Sequence, residues 1–272
     1  MSISSETLAA TLAETRALAL AVRRHVIDMA WRSKGPHVGT ALSCTDYLAV
    51  LYGAVLRLDP WTERDIFILS KGHGAMSLYG TLAAKGIIDA ALLEGYCQDR
   101  GSLPGHLDRF TAPGIEVSAG SLGHGFNVGL GLAHAFKLQG CDRKVYVVIG
   151  DGELQEGSIW EGLLFAAKLG LDNFTVLLDR NDLQGYGRPS ELCSIEPVAE
   201  KIAAFGWDVA EVDGHNHGAI IKAVTAPRRG LPRFIVGRTV KGKGVSFMED
   251  QLVWHYFVVT DEHRRQALEE LR

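Results

Sequence analysis

The chain has 272 residues, with 28 Lys and Arg against 32 Asp and Glu, for a formal net charge of -4. So mild a charge offers no basic footprint for nucleic acid and no polybasic membrane patch. A composition that is 47% hydrophobic and 22% charged excludes a disordered chain and is enough for one large α/β domain with a proper core.

Cys44, Cys97, Cys141 and Cys193 lie far apart with no CxxC pair, and are expected to be buried or inert thiols. The start, Met1 to Glu14, is polar and acidic, and the apolar run from Ala17 to Val22 precedes Arg23 and Arg24, the wrong order for a signal peptide. No segment is expected to reach the ~18 apolar residues of a membrane span. A cytoplasmic location follows as an expectation.

In chain order, the alanine- and leucine-rich stretch from Ser5 to Arg32 predicts a long helix with Leu12, Leu18, Val22 and Ile27 on its face, stopped by Gly35-Pro36. Asp46 to Val55 predicts a second helix. Asp65 to Leu69 predicts a buried strand that runs into Ser70-Lys71-Gly72-His73-Gly74. From Val117 the pattern alternates. Helices are predicted at Gly123 to Leu138, Ile159 to Leu169, Pro197 to Phe205 and Gly218 to Ala226. Between them, strands are predicted at Lys144 to Ile149, Phe174 to Asp179, Asp208 to Val212 and Arg233 to Val240. This punctuation predicts an α/β fold with a predominantly parallel sheet covered by helices, in one domain over 1–272 with an N-terminal helical extension. Such sheets place ligands beyond the carboxyl ends of their strands.

Two of those ends carry chemistry. Gly150-Asp151-Gly152 follows one strand and Asn181 follows the next. A carboxylate, an amide oxygen and a backbone carbonyl just beyond Asn181 make a sparse hard-oxygen site, which suits magnesium because that ion keeps waters and phosphate oxygens as its other ligands. Such a site calls for a diphosphate, and Gly152 would let the backbone approach it. A GDG turn alone is also a good structural corner. Joined to a helix, a strand and Asn181, it is far more specific.

The joint pattern resembles the thiamine diphosphate enzymes, and GDGELQEGSIWE (Gly150 to Glu161) resembles transketolases among them. The resemblance extends over LSKGH at Leu69 to His73, PGH at Pro104 to His106, SAGSLGHG at Ser118 to Gly125, and VKGKGVSFMED near the end. It implies thiamine diphosphate with magnesium, or another divalent cation such as calcium or manganese, held by Asp151, Asn181 and the Leu183 carbonyl. It also implies His73 and His255 as diphosphate contacts, Gly120 and Leu122 as cofactor contacts, and Gly152 and Glu156 as further cofactor neighbours. His37 and His106 are the implied substrate-side or proton-transfer residues. Imidazole suits that work because its pKa lies near ~6.5. Glu156 and Glu161 match family glutamates near a dimer interface, although a helix N-terminus also favours acidic residues on its own.

The sequence departs from the family pattern in three places. The first histidine sits in Gly35-Pro36-His37-Val38-Gly39, Gly185 stands where isoleucine is common, and Tyr256-Phe257 follow His255 in place of glycine. An altered sugar or aldehyde acceptor is the expectation.

The resemblance implies transfer of a two-carbon ketol unit from an anionic ketose to an aldose. It also implies a missing half: a partner subunit carrying the pyrimidine-binding and C-terminal domains, the pair assembling as a heterotetramer. The rival readings are the α-subunit of a keto-acid dehydrogenase and a non-catalytic scaffold subunit.

Overall fold

Strands β1 (Ile66–Leu69), β2 (Val145–Gly150), β3 (Phe174–Arg180), β4 (Asp208–Asp213) and β5 (Arg233–Arg238) pair in the order β1-β2-β3-β5-β4, every pair parallel. The computed structural model describes residues 5–272; Met1 to Ser4, part of the polar start read above, lie outside them. Val147 sits beside Ile68 and Val176, and Val176 beside Phe234. Successive side chains point to opposite faces, so two cores form. Phe67, Leu69, Tyr146, Val148, Leu177 and Ile235 face one of them; Ile66, Ile68, Val147, Val176, Phe234 and Val236 face the other.

Helices α1 (Ser5–Ser33), α2 (Val38–Val50), α3 (Ala75–Ala84) and α8 (His217–Thr225) close the first face. Helices α4 (His124–Leu138), α5 (Gly157–Lys168) and α7 (Val198–Ala204) close the second. The short α6 (Pro189–Leu192) belongs to the loop after β3, and α9 (Asp261–Glu270) packs back on α1. Strands β1 and β2 are buried throughout, and β3 up to its last residue, because both faces are covered, which is why they read as continuous apolar runs. The predicted α/β class and the parallel, helix-covered sheet are the architecture observed.

Some expectations are corrected. Helix α2 begins at Val38 rather than Asp46, and Leu51–Val55 continue it as a π turn. Gly39, Thr40 and Thr45 are poor helix formers, yet every residue of α2 is buried, so packing overrides propensity. Val38–Val55 also forms an 18-residue stretch of mean hydropathy 1.3, against the expectation that none exists; with 83% of it buried inside the domain it is a core helix. On α1 the buried positions are Thr15, Ala19, Val22, Arg23, Val26, Ile27, Met29 and Ala30, whereas Leu12 and Leu18 are only partly covered. Cys44 is buried, its thiol pushed up to about 11 by burial, but Cys97, in a surface turn, and Cys193, in the extended segment after α6, are exposed.

Candidate active site

The loops leaving β1, β2 and β3 converge, with the start of α2 and the segment around His255, on one cleft of about 260 Å³. It lies beyond the carboxyl ends of the strands, as expected for an open parallel sheet. His37, His73, His106, Gly120, Leu122, Asp151, Gly152, Asn181, Leu183 and His255 all line it. Glu156 and Glu161 do not. Both are exposed, Glu156 as the residue preceding α5 and Glu161 on that helix.

The cleft is built on buried charge. Lys71, just past β1, forms an ion pair with Asp179 near the end of β3, and both are almost fully buried. Asp179 also accepts from Ser43 Oγ at 2.6 Å and from Thr239 Oγ1. Burial alone would raise the Asp179 carboxyl, but the Lys71 ammonium and these donors outweigh it and hold the group below its ordinary range. Glu153 performs a second join: its carboxylate accepts from Ser70 Oγ, from Gly123 N–H at 2.9 Å and from Gly150 N–H at 3.2 Å, tying three loops together. Gly72 permits the closest of these approaches, since a Cβ there would lie 2.4 Å from the Ala119 carbonyl oxygen.

Asp151 has no such cation in contact. Its oxygens accept from the Gly152 and Asp182 amides, each at 2.7 Å, and burial followed by the charge of Asp179 pushes its pKa up to about 6. Asn181 directs Nδ2 towards Ser43 Oγ at 3.3 Å, while its Oδ1 accepts from Leu183 N–H at 3.1 Å. The Leu183 carbonyl accepts from Lys241 Nζ at 2.9 Å. Asp182 turns this loop with φ 58, a left-handed conformation that Asp tolerates better than most side chains. The Gly152 amide donates to Asp151 Oδ1 at 2.7 Å. Its missing side chain serves packing, because a Cβ there would meet Gln184 at 3.1 Å.

The histidines form one cluster. His37 lies 5.5 Å from His73, 5.5 Å from His106 and 5.2 Å from His255, ring centre to ring centre. Its backbone is left-handed, φ 78, and its amide donates to the His255 carbonyl at 2.9 Å, which fixes the entry to α2. Burial, then His106, Lys241 and Lys71, lower the His37 pKa to about 4. Burial, then Lys241 and His37, lower that of His255 to about 3, and burial holds His73 well below the ordinary value. These three rings are therefore neutral near pH 7. Lys241 Nζ donates to His255 Nδ1 at 2.7 Å, which assigns the ring proton to Nε2.

Lys71, Glu153, Asp179, Gln184 and Lys241 were not singled out from the sequence. Lys71 and Lys241 stand inside quoted motifs, but their partners lie 108 and 58 positions away along the chain.

Among the described residues, no group of three or more His, Cys, Asp and Glu could hold a metal ion. The oxygen set of Asp151, Asn181 and Leu183 is of another kind, one that a hard cation completes with phosphate oxygens and water. Two observations fit a ligand here. Asp151 is a buried carboxylate without a cation in contact, and Gln184 Nε2, buried in the cleft lining, has no hydrogen-bond partner.

Comparison with known proteins gives the family. A sequence model of the family described as transketolase, thiamine diphosphate binding domain, matches residues 14–263. The chain is 41% identical over 241 residues to the 6-deoxy-6-sulfo-D-fructose transketolase subunit of a Clostridium species, covering 86% of this chain and 88% of that one. It is 39% identical over 255 residues to an apulose-4-phosphate transketolase subunit of Phocaeicola vulgatus, covering 92% and 90%. The crystal structure of transketolase from Campylobacter jejuni superposes with a TM-score of 0.87 at 30% identity, covering 100% of this chain and 43% of that one. The chain thus spans less than half of the solved transketolase chain, and about nine-tenths of relatives that are named as subunits. The chain belongs to the transketolase family, as a thiamine diphosphate binding subunit of that transferase.

Proposed function

We propose that this chain is the diphosphate- and cation-holding half of a two-polypeptide transketolase, moving a two-carbon ketol unit from a ketose to an aldose. One observation carries the reading: Asp151, Asn181, Leu183 and four histidines, drawn from separate loops, meet in a single cleft. The bound cofactor supplies a carbon nucleophile and a sink for the electrons of the broken carbon-carbon bond.

The protein's own residues bind and orient. Asp151, Asn181 Oδ1 and the Leu183 carbonyl hold a divalent cation, magnesium by the hardness of the three oxygens. A cation there meets a carboxylate that burial has made costly to ionise, so binding relieves that cost. The neutral His73 and the Nε2–H of His255 would donate to diphosphate oxygens, and the Lys241 ammonium held on His255 would add positive charge, that of Lys71 being already paired with Asp179. His37, neutral and 5.5 Å from His106, can take a proton from a sugar hydroxyl, and the exposed His106 can return one.

The partner supplies what this cleft lacks, the pyrimidine-binding domain. Val128 and Leu138 on α4 with Leu164 and Phe165 on α5 leave apolar surface in solvent, which supports contact between subunits and assembly as a heterotetramer. The sulfosugar and phosphosugar relatives favour an anionic sugar. The test is reconstitution with a partner polypeptide that carries the pyrimidine-binding and C-terminal domains. Ketol transfer by the pair and none by either half is expected; robust transfer by this chain alone would contradict the reading.

A further inference from the structure

Two of the sequence departures meet at the mouth of the cleft. Gly185 and Tyr256 both line it, and a Cβ on Gly185 would stand 2.5 Å from the Tyr256 hydroxyl oxygen, closer than atoms can approach. The phenol occupies the space that a side chain at 185 would fill.

Tyr256 is fixed at its base. Its amide donates to the Val253 carbonyl at 3.1 Å, and His255 before it is tied through its carbonyl to the His37 amide. Phe257 after it packs edge-on against the buried Trp254, 5.4 Å between rings. The phenol ring lies 4.5 Å from His255 and 6.5 Å from His37. Its hydroxyl has no hydrogen-bond partner among the described residues and the side chain is half exposed, so the group is open to a ligand entering the cleft.

We infer that the Gly185–Tyr256 pair is a specificity determinant: the Tyr256 hydroxyl hydrogen-bonds a hydroxyl next to the reacting carbonyl of the sugar or acceptor aldehyde, and Gly185 keeps its place open. The chemistry of the mouth suits an alcohol. Tyr256 is an uncharged donor and acceptor, and the imidazoles of His37 and His255 beside it are neutral near pH 7. This inference rests on the transketolase reading.

The test uses the reconstituted pair with hydroxypyruvate as donor and two acceptors of similar size, glycolaldehyde and propanal, the second carrying a methyl group where the first has its hydroxyl. Wild type is expected to prefer glycolaldehyde in kcat/KM. Tyr256→Phe should cut that preference about tenfold, chiefly through KM for glycolaldehyde, the worth of one hydrogen bond. Gly185→Ile should reproduce the loss by forcing the phenol out, and the double variant should lose no more than either single change, because the two residues act through one interaction. A preference within about twofold of wild type in Tyr256→Phe, equal losses on both acceptors, or additive losses in the double variant would each overturn the inference while leaving the transketolase reading intact. A wild-type pair that transfers nothing to either aldehyde would overturn both.

Discussion

Two buried aspartates, Asp46 on α2 and Asp151 just past β2, show how a scaffold differs from a site. Asp46, on α2, receives both terminal nitrogens of Arg23 at 3.1 and 2.7 Å, His215 Nδ1 at 2.6 Å and His217 Nε2 at 3.0 Å. Burial would raise it, but His215, His217 and Arg23 outweigh that and hold the carboxyl far below its ordinary range. Asp151 receives two backbone amides and no cation in contact, and burial pushes it up to about 6. The first is neutralised by its own chain. The second ionises near neutral pH at a cost that its own chain does not offset and that a cation from outside would relieve, and that asymmetry marks a binding site.

Removing each carboxylate should break this contrast in opposite ways. Asp46→Asn leaves Arg23 buried without its counterion and should cost about 3–5 kcal/mol of unfolding free energy, read by denaturant titration. Asp151→Asn should cost less than about 1 kcal/mol, or stabilise the chain, because a carboxylate with a raised pKa burdens the metal-free fold at neutral pH. Equal losses in the two variants would erase the distinction.

Acidification sharpens it further. Between its ordinary 3.8 and about 6, Asp151 holds a proton in the folded chain that the unfolded chain releases, so falling pH favours folding through this group. His37 and His255 act in the other direction. Between their ordinary 6.5 and the folded values of about 4 and about 3, the unfolded chain binds protons that the folded chain refuses, so their contribution is whole above 6.5 and lost as pH falls. The metal-free Asp151→Asn variant should therefore lose its thermal midpoint more steeply than wild type from pH 6 to pH 4. Parallel curves would contradict these protonation states.

The sheet, its parallel pairing and most of the cleft lining were legible because they reside in contiguous signals: apolar runs for β2 and β3, and polar or glycine-rich loops at strand ends. The start of α2 was not, since its small and β-branched residues read as loop until burial is known. Lys71, Glu153 and Lys241 escaped for another reason. Each lies within or beside a recognisable motif, but a buried charge acquires its role from partners on distant loops, and one-dimensional spacing does not reveal them. Glu156 shows the converse, a residue matching a family motif that the fold turns away from this chain's cleft.

The most direct measurement is calorimetric titration of thiamine diphosphate into the reconstituted pair, with magnesium and with a chelator, for wild type, Asp151→Ala and Asn181→Ala. Tight binding by wild type in magnesium is expected, with a loss on the order of 100-fold or more under chelation or in either variant, since each removes the cation or one of its ligands. Affinity unchanged by chelation and by both substitutions would show that the cofactor is not held through a cation at Asp151 and Asn181.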